Sequence, residues 1–109
     1  EIYRQDFWLR WGYDRIRDLG VATKVFDMAV NMGPRRAHLL LQQALWWAGY
    51  PVVVDGILGP ETLTATNSVD PGRLVEALRM LAARYYWGLV RADHRRSKFL
   101  GGWLARAYS

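Results

Sequence analysis

Residues 41–65 read L-Q-Q-A-L-W-W-A-G-Y-P-V-V-V-D-G-I-L-G-P-E-T-L-T-A, from Leu41 to Ala65. The first part of this stretch, with the residues before it, has helical periodicity. Ala37, Leu40, Leu41, Ala44, Leu45 and Ala48 fall on one face, and Leu39, Trp46 and Trp47 widen it. A central helix over residues 35–48 is therefore expected, with Gly49 as its stop. Trp46 and Trp47 are adjacent, so they point about 100° apart on that helix and one of them is expected to be half exposed. Tyr50 to Val54 is extended and β-branched but too short to support a sheet alone. Asp55-Gly56 and Gly59-Pro60 mark a tight turn, and Pro60 opens a short helix from Glu61 to Asn67.

Working outward, the same helical spacing recurs. Residues 2–11 place Ile2, Tyr3, Phe7, Trp8 and Trp11 on a buried side, and Gly12 ends the run. Asp14 is a cap for a short helix from Arg15 to Leu19, which Gly20 stops. Val21, Val25, Met28, Ala29 and Met32 make the next helix amphipathic, and Gly33-Pro34 breaks it. Downstream, Asp70-Pro71 starts a long helix running to about Asp93, with Leu74, Leu78, Leu81, Ala82, Tyr85 and Leu89 facing inward. A basic patch, His94 to Lys98, precedes a last short helix from Trp103 to Tyr108. The fold class is all-α: one compact multi-helix domain over residues 1–109.

Composition narrows the chemistry. The chain has 109 residues, 51% hydrophobic and 23% charged, which is globular composition. It has no cysteine, so disulfides, thiolate metal sites and a cysteine nucleophile are excluded. Apolar runs fall far short of the ~20 residues that span a bilayer, and no signal peptide is visible. The chain begins Glu1-Ile2-Tyr3, without methionine, and reads as a fragment or processed form. The net charge of +5 is uneven: residues 73–109 hold eight Arg or Lys against two Asp or Glu. Such a surface suits nucleic acid, anionic lipid or an anionic cell wall, and it also suits a merely solvated helix face.

The residues themselves argue poorly for catalysis. His38 and His94 are far apart and lack partners for a metal site, which needs three or four convergent ligands. His38 is expected on the surface of its helix. No cofactor motif is present. Among the glutamates, Glu61 stands at a helix start and Glu76 on an arginine-rich helix, and both settings favour the ionised form rather than a proton donor. Binding is better supported, because six tryptophans can stack on sugar rings as well as fill a core.

The run Val54-Asp55-Gly56-Ile57-Leu58-Gly59-Pro60-Glu61-Thr62, after a Leu-Gln helix and a Gly-Tyr turn, resembles the peptidoglycan-binding domains. Val25 to Pro34, with Arg36-Ala37 and Leu40-Leu41-Gln42, narrows the likeness. It is similar to the lysozyme-like muramidases of glycoside hydrolase family 108 with their C-terminal peptidoglycan domain, most firmly over residues 21–65. The resemblance implies the helical lobe of a lysozyme-like fold and a parent that cuts peptidoglycan glycan strands. It places the protein in the bacterial cell wall or periplasm, exported or phage-delivered. The family's general acid lies in an E-G-G motif, which this sequence lacks, so no catalytic residue is carried over and a separate N-terminal catalytic segment is expected as a partner.

Expected ligand contacts are Asp55, Gly56, Ile57, Gly59, Pro60 and Thr62 in the loop, with Tyr50 or Trp47 as a nearby aromatic. Asn31, by likeness to cleft helices, is a candidate sugar contact, or else simply ends its helix. The alternative is that the loop is a structural turn, in which Thr62 bonds back to the loop. The basic C-terminal part would attract anionic wall polymers. Exposed aromatics in residues 2–11 would suit a homodimer. A basic helical nucleic-acid-binding protein is the competing reading.

Overall fold

The computed structural model describes Asp6 and residues 8–109. Residues 8–10 are helical, and a 3₁₀ turn spans Tyr13–Arg15. Five α-helices follow: α1 (Leu19–Met32), α2 (Pro34–Trp47), α3 (Pro60–Ser68), α4 (Pro71–Ala92) and α5 (Leu100–Ala107). A 3₁₀ segment, His94–Phe99, joins the last two. Among the described residues there is no strand, and Val52 to Val54 belong to no regular element.

Local chemistry accounts for most boundaries. Asp18 caps α1, its carboxylate accepting from the Val21 N–H at 2.9 Å. Gly20 therefore lies in the first turn of α1 instead of stopping a helix over 15–19, because a good cap one residue before Leu19 outweighs one glycine. Gly33, at φ 94°, connects α1 to α2 by itself, a conformation that disfavours any side chain. Pro34 then occupies the first turn of α2, where a missing N–H costs nothing. At the other end of α2, the Tyr50 N–H reaches back to the Leu45 carbonyl at 2.8 Å, the closing bond of a Schellman motif. Asp70 caps α4 through the Arg73 N–H at 3.0 Å.

α4 is the centre of the fold and packs against α1, α2 and α5. Leu74, Leu78, Leu81, Ala82, Ala83, Tyr86 and Val90 are buried along it. The inner face expected from the sequence is right through Ala82 and then turns. Tyr86 and Val90 are buried, whereas Tyr85 and Leu89 are only partly so. The reason is α5, which packs on the C-terminal half of α4 and stacks Trp103 against Tyr86 at 5.3 Å. α5 begins at Leu100, three residues before the expected start. Of the expected N-terminal aromatic face, Trp8 and Trp11 pack partly buried on the core, while Ile2, Tyr3 and Phe7 lie outside the described residues.

One buried charge ties the two ends together. Lys24 on α1 is 5% exposed, and its Nζ donates to the Ala107 carbonyl at 2.6 Å and the Arg106 carbonyl at 3.1 Å. It satisfies carbonyls at the end of α5 that have no partner within their own helix. Burial holds its pKa below the usual lysine value, with the Arg79 charge adding to that effect.

Candidate functional site

The loop between α2 and α3 is organised by one side chain. Gln42 is fully buried on α2. Its Oε1 accepts from the backbone N–H of Asp55 at 3.0 Å and of Gly56 at 2.8 Å. Backbone N–H groups only donate, so these two bonds fix which way the amide points. Its Nε2 then meets the Asp55 carboxylate at 2.9 Å, the Ile57 carbonyl at 3.0 Å and the Thr62 hydroxyl oxygen at 3.1 Å. Three acceptors share two hydrogens, so at least one bond is three-centred. The Asp55 carboxylate also accepts from the Ile57 N–H at 2.9 Å, an Asx turn. That backbone bond, followed by the Gln42 amide, holds the Asp55 carboxyl below its usual range. Thr62 thus bonds to the neighbouring helix rather than back to the loop.

A second buried polar group supports the same turn. His38 is 2% exposed, which corrects the expectation that it lies on the surface. Its Nδ1 is 3.2 Å from the Gly56 carbonyl and its Nε2 is 2.8 Å from the Tyr13 hydroxyl. A carbonyl only accepts, so Nδ1 carries the proton and Nε2 accepts from Tyr13. Burial lowers the His38 pKa against the opposing effect of the Gly56 bond, and burial raises the Tyr13 pKa. Gly56 has φ 78°, and a Cβ there would meet the Arg35 side chain at 3.2 Å. Arg35 in turn donates to the Asp55 carbonyl at 3.2 Å. Sequence reasoning missed Gln42 and His38 as the hub. The signal was present: two polar residues four apart inside the buried stripe of α2 must find partners somewhere.

The expected ligand contacts do not gather in one cavity. Trp47 and Val54 border a groove between α2 and α4. Tyr50 and Pro60 border a second hollow beside Glu61, Thr64 and Ser68. Gly56 and Ile57 border a third, next to His38 and Trp11. Asn31 lies elsewhere, beside Tyr86 and Trp103, and its side-chain oxygen accepts from the Arg106 guanidinium. Gly59 precedes the first turn of α3 in an extended conformation.

The groove between α2 and α4 encloses about 710 Å³. Its floor is Leu40, Leu81 and Leu89. Its rim carries Arg36, Gln43 and Trp47 from α2 and Arg84 and Tyr85 from α4. Both tryptophans at the end of α2 are exposed, Trp46 at 56% and Trp47 at 63%, where one had been expected. Trp46 is held in place by its indole N–H, which donates to the Val52 carbonyl at 2.7 Å. Arg36 lies over the Tyr85 ring at 5.3 Å from its centroid, a cation–π contact. A Cβ at Gly88 would meet nothing within 4 Å, so this wall of the groove is open.

Elsewhere the chemistry is sparse. Among the described residues no three His, Cys, Asp or Glu side chains converge as metal ligands, and no helix is long and apolar enough to cross a membrane. Glu61 and Glu76 are both exposed, and Glu76 faces Arg79 at 3.5 Å. On the basic C-terminal side, Arg95 is held by Asp93 through two bonds of 3.0 Å.

Comparison with known families gives two matches. The family described as "Predicted Peptidoglycan domain" matches residues 36–108, and "Glycosyl hydrolase 108" matches residues 1–33. No curated protein and no solved structure matches the chain.

Proposed function

The chain belongs to the predicted peptidoglycan domain family, a peptidoglycan-binding domain of a cell-wall hydrolase, and from that premise we propose where it meets the wall. The contact face is the end of α2 together with the loop that follows it. One observation carries this reading. Trp46, Trp47, Tyr50, Val53, Val54 and Ile57 are all exposed large apolar side chains within twelve consecutive residues. Isolated exposed apolar residues are ordinary, but three of these six, Trp46, Trp47 and Val54, border one groove, which favours a contact surface there. Asp55, Gly56 and Thr62 act here by holding the loop in shape. Trp47 supplies outward surface at the groove between α2 and α4, and Tyr50 and Ile57 supply it at two separate hollows. The flat Tyr50 ring suits the apolar face of a sugar.

The basic side, through Arg91, Arg96 and Lys98, adds attraction to anionic wall polymers. The glycosyl hydrolase 108 match supports a muramidase as the parent, exported or phage-delivered. Both proposals are compatible with a cell-wall-associated protein.

We also read residues 1–109 as one folding unit, with the two family matches meeting near the Gly33-Pro34 connection. α1, within the first match, packs against α2 and α4 of the second, and Lys24 bonds to carbonyls at residues 106 and 107. A single unfolding transition, coincident by tryptophan fluorescence and far-UV circular dichroism, is the expected outcome. Two separated transitions would divide the chain.

Sedimentation with insoluble peptidoglycan tests the contact face. Wild-type protein should pellet, and Trp47→Ala should weaken binding by about tenfold, some 1.4 kcal/mol, with no change in unfolding midpoint. Unchanged pelleting by Trp47→Ala would remove Trp47 from the surface. Raising salt should reduce, without abolishing, the wild-type signal, because screening acts on the basic side and not on the aromatic contacts.

A further inference from the structure

The groove between α2 and α4 combines two features that a neutral sugar does not require together. Its floor is apolar, and each of its walls carries an arginine: Arg36 on α2 and Arg84 on α4. No Asp or Glu is among the described residues lining it. Neither arginine has a carboxylate partner among the described residues, whereas Arg79 and Arg95 do. Arg36 is also pre-positioned, since it lies over the Tyr85 ring at 5.3 Å. A guanidinium held over a ring and not paired with a carboxylate keeps N–H groups for a ligand, and its fork matches a carboxylate in two-point geometry. Gln43 and Trp47 complete the rim with an amide and an exposed indole.

Peptidoglycan offers two chemistries. Its glycan is a chain of N-acetylated sugars, and its peptide stems carry free carboxylates. A glycan site needs aromatic platforms and neutral donors, and gains little from two unneutralised cations. An acidic peptide needs cations for its carboxylates and an apolar floor for its aliphatic side chains and methyl groups. We infer that the groove between α2 and α4 binds the carboxylate-bearing peptide stem, with Arg36 and Arg84 as its carboxylate contacts. This inference rests on the peptidoglycan-binding reading above and names the part of the polymer that is recognised.

The test uses the 109-residue chain and three soluble probes: a fluorescent N-acetylmuramoyl-tetrapeptide, the same compound with its carboxylates converted to carboxamides, and a neutral N-acetylglucosamine tetramer. Pelleting with whole peptidoglycan is measured alongside. The expected result is that the acidic muropeptide binds at least about tenfold more tightly than its carboxamide form, the range of a charge-assisted hydrogen bond. The neutral tetramer should not displace it. Arg36→Gln and Arg84→Gln should each remove most of the preference for the free acid, and the Arg→Lys forms should recover part of it. Both side chains are on the groove rim, and unchanged circular dichroism will confirm folding. Equal binding of acid and carboxamide by wild-type protein, or displacement by the neutral tetramer, overturns the inference while pelleting with whole peptidoglycan persists. Failure of wild-type protein to pellet overturns the underlying reading, and this one with it.

Discussion

Gln42 and Gln43 are neighbours on α2 with opposite environments. Gln42 faces inward, is fully buried and organises five contacts around the turn at residues 55–62. Gln43 faces outward onto the rim of the groove, beside Arg36 and Trp47. The turn is a region whose polar groups are satisfied internally. The groove carries two arginines with no carboxylate partner among the described residues. The difference separates two properties that a conspicuous sequence motif tends to merge. In the V-D-G-x-x-G-P-x-T pattern, Asp55, Gly56 and Thr62 are tied into the turn by Gln42, while Val54 and Ile57 are exposed. Buried hydrogen-bonded networks fix one geometry, while exposed cations and indoles retain affinity for something else.

The sharpest way to break this contrast is the same substitution at both glutamines. Gln42→Leu should destabilise the fold by on the order of 3 kcal/mol, because the part-buried N–H groups of Asp55 and Gly56 and the buried Thr62 hydroxyl all lose their partner. Gln43→Leu should change stability by no more than about 0.5 kcal/mol. Urea titration with unchanged m-values checks both. Comparable costs at the two positions would contradict the division between turn and groove.

Two glycines extend the comparison at smaller amplitude. Gly56→Ala should cost about 1–2 kcal/mol, since φ is positive there and the Arg35 side chain stands 3.2 Å from the new methyl. Gly88→Ala, inside α4 on the open wall of the groove, should instead stabilise by up to about 1 kcal/mol. The thermal midpoints of the two variants should therefore move in opposite directions.

The smallest effect is a pH dependence confined to the turn. The folded state lowers the His38 pKa, so below the ordinary imidazole value of about 6.5 the unfolded chain binds a proton that the folded chain does not. Stability therefore falls as pH drops below that value and levels off once the folded form also protonates. His38→Gln should remove this contribution to the slope between pH 7 and pH 5, read from denaturant midpoints. Peptidoglycan binding through the groove should not share that profile, since His38 is not among its lining residues.

Several elements were legible without the tertiary structure because their causes are local. The 35–48 helix, the stop at Gly49, the Gly33-Pro34 break, the Asp70 cap and the helix after Pro60 follow from spacing, capping and proline geometry. The resemblance to a peptidoglycan domain rested on a motif whose residues are all near one another in the chain. Helix α4 shows where local reasoning stops. Its apolar pattern allows either Tyr85 and Leu89 or Tyr86 and Val90 as the inner pair, and α5 decides by packing Trp103 on Tyr86. The start of α1 differs from the local reading for a related reason: Asp14 and Asp18 are both reasonable caps, and Asp18 is the one that accepts the Val21 N–H.

By itself, then, the sequence determined an all-α chain, its main helix boundaries and the membership that the motif announces. Tertiary structure alone decided that His38 and Lys24 are buried, that Gln42 is the hub of the turn, and that Arg36 and Arg84 line one groove. The physical reason is range. Backbone propensities and caps act over a few residues and can be read from them. A polar side chain's partner is set by what the fold brings beside it: Gly56 for His38, the end of α5 for Lys24, and no carboxylate among the described residues for Arg36 and Arg84.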